Sequence, residues 1–338
     1  MRGDRGEGQV RLDERSAGRT ALTGPAGRPR LSVVVPTHGT RDITLRCLAA
    51  LEPWAADGAE IVLVDDGSGD RTAEAVHDRF PAARLLVSAE ARGFTVSANE
   101  GLAAARGELL LLLNSDTEVE AATLPRLFAA FDSDPKLGAA GGVLLNSDGS
   151  PQWSGGREPT LLWLFLLTSG LGAALGRLPG YRRLRPLDAE SRTSVDWVTG
   201  AAMAIRREAW DTVGPMDTRY RFYAQDLDFC SSLRDAGWLV AIAAGFRVMH
   251  LGGATIGRRS GASGSAHPGL LWADLLTWAA KRRGGDWART ARRWMRLGSG
   301  LRLLGRWSAR FSVPQEHRAD WDRGTTAFRE ARQALGAL

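Results

Sequence analysis

Cysteine is nearly absent: Cys47 and Cys230 are the only two in 338 residues. A single pair so far apart provides neither a disulfide framework nor a four-thiolate zinc site, and it suits a reducing compartment. Long apolar runs are missing too. The most sustained uncharged segment, Pro159 to Gly176, has eighteen residues diluted by glycines and hydroxyls, at the lower limit for a bilayer-crossing helix. It reads either as a segment lying in a membrane interface or as a core or lid helix over a site. The first thirty residues contain no apolar stretch of the kind a secretion signal needs, and are expected to be a disordered tail ending near Pro29. No GxxxxGK[ST] phosphate loop, no zinc-ligand spacing and no Ser-His-Asp ordering occur, and Gly170, Gly172 and Gly176 miss the dinucleotide spacing.

Acids are scarce in one place. Between Leu271 and Arg310 ten Lys/Arg face only Asp274 and Asp286, a local balance of +8 against +6 for the whole chain. Five tryptophans share those forty residues: Trp272, Trp278, Trp287, Trp294 and Trp307. Basic residues interleaved with tryptophan suit an anionic membrane surface at least as well as a phosphodiester backbone. Amphipathic helices packed on the rest of the fold, with their arginines in water, are the competing reading.

What is present is a regular alternation. LSVVVP, the start of AEIVLVDDGSGD, ARLLVS and ELLLLL read as short buried strands, with helical spacing over 42–51, 71–80 and 95–106 between them. Strands buried on both faces and alternating with helices predict a mostly parallel α/β sheet. Ligands of such sheets bind beyond the carboxyl ends of the strands, which places Pro36-Thr37-His38, Asp65-Asp66-Gly67-Ser68 and Asn114-Ser115-Asp116 on one rim. A carboxylate there, with Asn114 beside it, suits a hard divalent cation shared with substrate phosphates. The second Asn-Ser-Asp, at 146–148, precedes Gly149-Ser150-Pro151 and reads as a turn.

VVVPTHG, VDDGSGD, ARGFTVSANEG, LLLNSDTEV, VTGAAMAIRREAWDTVG, FYAQDLDFCSSLRDAGW and VMH occur in an order that resembles glycosyltransferase family 2, in its bacterial rhamnosyltransferase-type branch. The resemblance runs from about Leu31 to Thr255. It implies a GT-A fold and sugar transfer from a nucleotide diphosphate donor with inversion. By the same resemblance, Pro36, Thr37, Asp65, Asp66, Arg92, Gly93, Asn99, Asn114 and Ser115 would hold the nucleotide sugar. Asp116 matches the metal-binding acid of the family's Asp-x-Asp motif and His250 a histidine that completes the site, for Mg²⁺ or Mn²⁺. Asp226 matches the general base, with Gly200, Gln225 and Asp228 on the acceptor side. Arg206-Arg207 reads as a solvated pair or as a contact to acceptor or phosphate.

Two positions depart from the family pattern: Asn114 replaces the first acid of Asp-x-Asp, and Gln225 replaces the usual Glu before Asp226. The loss of a neighbouring charge at Gln225 is expected to lower the Asp226 pKa by relieving repulsion. These departures keep a non-catalytic sugar-nucleotide or glycan-binding scaffold as the alternative, with a nucleotidyltransferase third. The expected organisation is a tail over 1–30, a GT-A domain over 31–260 with an apolar insertion near 159–180, and a basic helical extension over 261–338. The expected partners are a nucleotide diphosphate sugar, a glycan or lipid-linked acceptor and an anionic membrane surface, without nucleic acid. That places the chain in the cytoplasm, at the inner face of the plasma membrane.

Overall fold

The computed structural model describes residues 22, 27–175, 193–220, 222–252 and 267–337. The apolar runs form the middle of one sheet. β1 (Leu31–Thr37), β2 (Glu60–Asp65) and β4 (Leu109–Leu113) are buried at every position, as strands covered on both faces must be. With β3 (Arg84–Val87) they pair in parallel in the order β3-β2-β1-β4. The crossovers are α1 (Arg41–Ala56), α2 (Thr72–Arg79) and α3 (Phe94–Ala104). The five leucines are thus a central strand.

The chain adds β2 and β3 on one side of β1 and β4 on the other. That reversal leaves a crevice at the carboxyl ends of β1 and β4. β1 pairs with β2 as far as Thr37 but with β4 only as far as Val34. Pro36, which has no N–H to contribute, therefore falls beyond the β1–β4 ladder.

The second half of the sheet is built by long-range pairing. β10 (Ala202–Arg206) inserts antiparallel between β4 and β6 (Leu137–Leu145). β11 (Leu239–His250) runs parallel to β6 and carries β5 (Thr117–Val119) and β8 (Thr193–Ser194) antiparallel. A small ribbon, β7 (Gly155–Gly156) with β9 (Trp197–Val198), stands beside the rim. α4 (Leu124–Asp132), α7 (Arg207–Val213) and α8 (Gln225–Asp235) pack on this half.

The uncharged segment forms α5 (Leu161–Ser169) and α6 (Leu171–Leu175), separated by Gly170 at φ +78°. Among the described residues no helix is long and apolar enough to cross a membrane. α5 packs on α10 (Gly285–Ala309) so tightly that a Cβ on Gly298 would lie 2.4 Å from Thr168 Oγ1 and 2.7 Å from Phe165 O. Residues 176–180 of the expected insertion lie outside the described residues. So does most of the expected tail. Of its end, Leu22 is buried and Arg30 pairs with Asp132 at 2.6 Å.

α9 (Pro268–Arg283), α10 and α11 (Arg318–Ala337) complete the chain. Trp272, Leu275, Trp278, Met295 and Leu335 form a third apolar cluster with Leu164, Tyr220 and Leu227. The C-terminal helices are therefore continuous with the domain that carries α8.

Candidate active site

One cavity of about 950 Å³ opens at the carboxyl ends of β1 and β4. Pro36, Thr37, Asp66, Arg92, Gly93, Asn114, Ser115 and Asp116 line it. Gly200, Gln225 and Asp226 line it as well, with His250 from the end of β11. Three strand ends and one helix start thus converge.

The loops along this rim are held by Asp66, which follows β2. Asp66 accepts from Arg92 N at 2.9 Å and Gly93 N at 2.8 Å, which clamps the loop after β3 to the loop after β2. Gly67 permits that approach: it has φ +69°, and a Cβ there would meet Glu90 C at 2.7 Å. His38 Nδ1 lies 2.7 Å from Asp66 O, which ties in the loop after β1.

The orientation of His250 against Asp116 is set by a residue the motifs did not reveal. His250 Nε2 lies 3.3 Å from Asp116 Oδ1 and 3.4 Å from Asn114 Nδ2, while Nδ1 lies 2.8 Å from Gln152 Oε1. Gln152 Nε2 already donates to His250 O at 2.5 Å and Asn146 Oδ1 at 2.7 Å. Its amide oxygen is therefore the acceptor of Nδ1–H, and the Nε2 lone pair faces Asp116. This arrangement fits a divalent cation, since two adjacent ligands each ~2.1 Å from an ion sit about 3 Å apart. Among the described residues no three His, Cys, Asp or Glu cluster. The remaining positions would fall to diphosphate oxygens and water, as Mg²⁺ commonly arranges.

In the same cavity Asp226 lies in the first turn of α8. Its Oδ2 accepts from Gly200 N at 3.0 Å and its Oδ1 from Leu227 N at 2.8 Å. The side chain reaches the cavity yet is ringed by protein, and this desolvation raises its pKa despite both N–H bonds. Neutral Gln225 adds no repulsion, but the lowering expected from that missing charge is outweighed by burial. Ala224, just before, is held at φ 62°, a left-handed conformation costing a non-glycine residue about 1 kcal/mol. Asp274 of α9 supports that bend by accepting from Phe222 N at 3.0 Å and Tyr223 N at 2.8 Å.

Three expected site residues lie outside the cavity lining. Asp65 accepts from Ser68 N at 3.0 Å and shapes the turn. Asn99 makes a two-way bond to the Met216 backbone, at 2.8 and 2.9 Å. Asp228 is buried in an ion cluster with Lys281 Nζ at 2.7 Å and Arg282 Nε at 2.5 Å. Arg206 and Arg207 are likewise spent on backbone carbonyls, including Phe131 O at 2.9 Å and Ala105 O at 2.5 Å. Conversely, Ser97 Oγ, Asn114 Oδ1 and Gln225 Oε1 are buried acceptors with no hydrogen-bond partner among the described residues, and all three residues line the cavity. A ligand's hydroxyls can satisfy them.

The family model described as "Glycosyl transferase family 2" matches residues 32–212. The chain belongs to glycosyl transferase family 2. It is a glycosyltransferase, and it is 29% identical over 309 residues to the N-acetylglucosaminyl-diphospho-decaprenol L-rhamnosyltransferase of Mycobacterium tuberculosis, covering 85% of this chain and 95% of that one. It is also 28% identical to an O-antigen biosynthesis protein of Myxococcus xanthus, over 75% of this chain and 19% of that protein. The fold matches that of a mannosyltransferase from Pyrobaculum calidifontis solved with GDP-Man and Mn²⁺, at TM-score 0.56 and 18% identity, over 94% of this chain and 89% of that one. The GT-A architecture expected from the motifs is thus the observed one.

Proposed function

We propose that this glycosyltransferase is inverting and metal-dependent, and moves rhamnose or a related sugar from a nucleotide diphosphate donor to a hydroxyl of a lipid-linked acceptor at the inner face of the plasma membrane. One observation carries the reading: a single cavity carries in its walls both the Asp116–His250 pair, with the Nε2 lone pair turned toward Asp116, and the desolvated Asp226. The mycobacterial relative, named for a diphospho-decaprenol acceptor, supports the choice of acceptor class.

The chemistry follows from those walls. The acceptor oxygen attacks the anomeric carbon, its proton passes to a carboxylate oxygen of Asp226, and the bond to the donor phosphate breaks with its electron pair leaving on the nucleoside diphosphate. Two N–H donors keep the Asp226 carboxylate in place, and each oxygen retains a lone pair for that proton. A divalent cation held by Asp116 and His250 would neutralise charge growing on the leaving diphosphate. Trp153, Trp163 and Trp197 form an aromatic wall, with ring centroids 5.6 and 5.0 Å from that of Trp153, against which a sugar or isoprenoid can lie.

The test is a panel of nucleotide sugars with Mg²⁺ or Mn²⁺, scored for nucleoside diphosphate release with and without a diphospholipid-linked amino sugar. Release stimulated by the acceptor, and lost on chelation, is expected. Pyrophosphate release would instead point to nucleotidyl transfer. No turnover with any donor would leave a binding scaffold.

A further inference from the structure

The expected membrane segment, 271–310, divides into two halves with different roles. In α9 the basic residues turn inward: Lys281 reaches Asp217 and Asp228, Arg282 reaches Asp228 and Asp235, and Arg283 reaches Glu158. Trp272 and Trp278 are core. In α10 the pattern reverses. Trp294, Leu297, Leu301, Leu304 and Trp307 follow one another at steps of three or four and are all exposed, Leu304 by 61% and Trp307 by 65%. Phe311, in the turn that follows, is 76% exposed; α5, which packs on α10, adds exposed Leu162, and α6, which follows α5, adds Leu171.

We propose that this stripe of α10 inserts into the headgroup region of an anionic lipid bilayer; the idea rests on the lipid-linked acceptor proposed above. Charge selects lipid over a protein partner: from Trp287 to Arg310 there are seven arginines and no acid. Exposed Arg293 and Arg296 can reach phosphates while their stems lie along the apolar stripe, whereas Arg289 and Arg310 also meet Asp286 and Asp322. Composition agrees, since Trp294 and Trp307 bracket the leucines and tryptophan favours the headgroup level. Position agrees as well. α5 touches α10 at Gly298 and carries Trp163 into the cavity wall, so the stripe belongs to the helix pair that borders the aromatic end of the site. A lipid-linked acceptor entering from the bilayer would meet that end first.

The full-length chain is floated with vesicles of phosphatidylcholine, alone or mixed with phosphatidylglycerol, at low and high salt. Binding to the anionic vesicles at low salt is expected, weakened about tenfold or more by high salt. Leu304→Asp with Trp307→Asp should lower the bound fraction about tenfold while sparing donor turnover in solution. Arg293→Glu with Arg296→Glu should do the same at low salt only. In the unmutated chain, brominated lipids should quench tryptophan emission, a readout independent of any variant's folding. The proposal is overturned if the parent ignores anionic vesicles at low salt, if no quenching occurs, or if the double aspartate variant floats as well as the parent. It is also overturned if sedimentation shows the stripe buried in a dimer that those substitutions split. Donor turnover without vesicles reports on the transferase reading separately.

Discussion

Asn114-Ser115-Asp116 and Asn146-Ser147-Asp148 are the same tripeptide with opposite fates. The first ends a central strand, and Ser115 and Asp116 are buried at the cavity, Asp116 within reach of His250. The second is an exposed turn, closed by Gly149 at φ +79° and by Asp148 accepting from Ser150 N at 2.9 Å. Asp226 and Asp228 repeat the contrast two residues apart. Among the described residues one faces the cavity with N–H partners alone, and the other is neutralised by Lys281 and Arg282. Between these two, the available carboxylate is the one placed beside open space and away from Lys281 and Arg282.

The hardest blow to this contrast would come from the second pair. Asp226→Asn should cut the transfer rate by about 10²–10⁴ with donor binding retained, because the amide keeps the shape and loses the base. With Asp226 in place, kcat/KM should fall as pH drops through its raised pKa, since the protonated acid cannot take a proton. The acid limb should therefore lie above the usual carboxylate range and vanish in the Asn variant. Asp228→Asn, in turn, should act on stability. It leaves Lys281 and Arg282 without their buried counter-charge, at about 2–4 kcal/mol after allowance for their partial exposure, measurable by denaturant unfolding.

The tripeptides are separated by metal binding. Asp116→Ala should lower transfer about 10²–10³-fold and abolish Mn²⁺ binding in the presence of nucleoside diphosphate, read by the paramagnetic signal of the free ion. Gln152→Leu should weaken the same binding by about 10–100-fold, because Nδ1–H loses its acceptor and the ring its orientation. Gln152→Glu, which keeps the acceptor, should restore most of it. The smallest effect belongs to Asp148→Ala: unchanged Mn²⁺ binding and transfer, with at most a slight loss of stability in denaturant unfolding through the lost turn bond.

The second tripeptide is not wholly idle. Asn146 lines the cavity and accepts from Gln152, so the turn stands behind the histidine. No local signal announces this, because Gln152 and His250 are ninety-eight residues apart and only the parallel pairing of β6 with β11 brings them together.

The sequence by itself determined the parallel half of the sheet, the central place of Leu109–Leu113, and the convergence of Pro36, Asp66 and Asp116 on one rim. These are local matters. A two-faced buried strand must read as an apolar run, and the residue after it must lie at the strand's carboxyl end. The tertiary structure alone decided which polar residues were left free to react. It spent Asp65, Asn99 and Asp228 on turns, backbone and ion pairs, recruited Gln152 to orient His250, and turned α9's cations inward while leaving α10's tryptophans in the open. Partners drawn from a hundred residues away leave no period in the chain, so whether a carboxylate is paired or free is a property of the packed molecule.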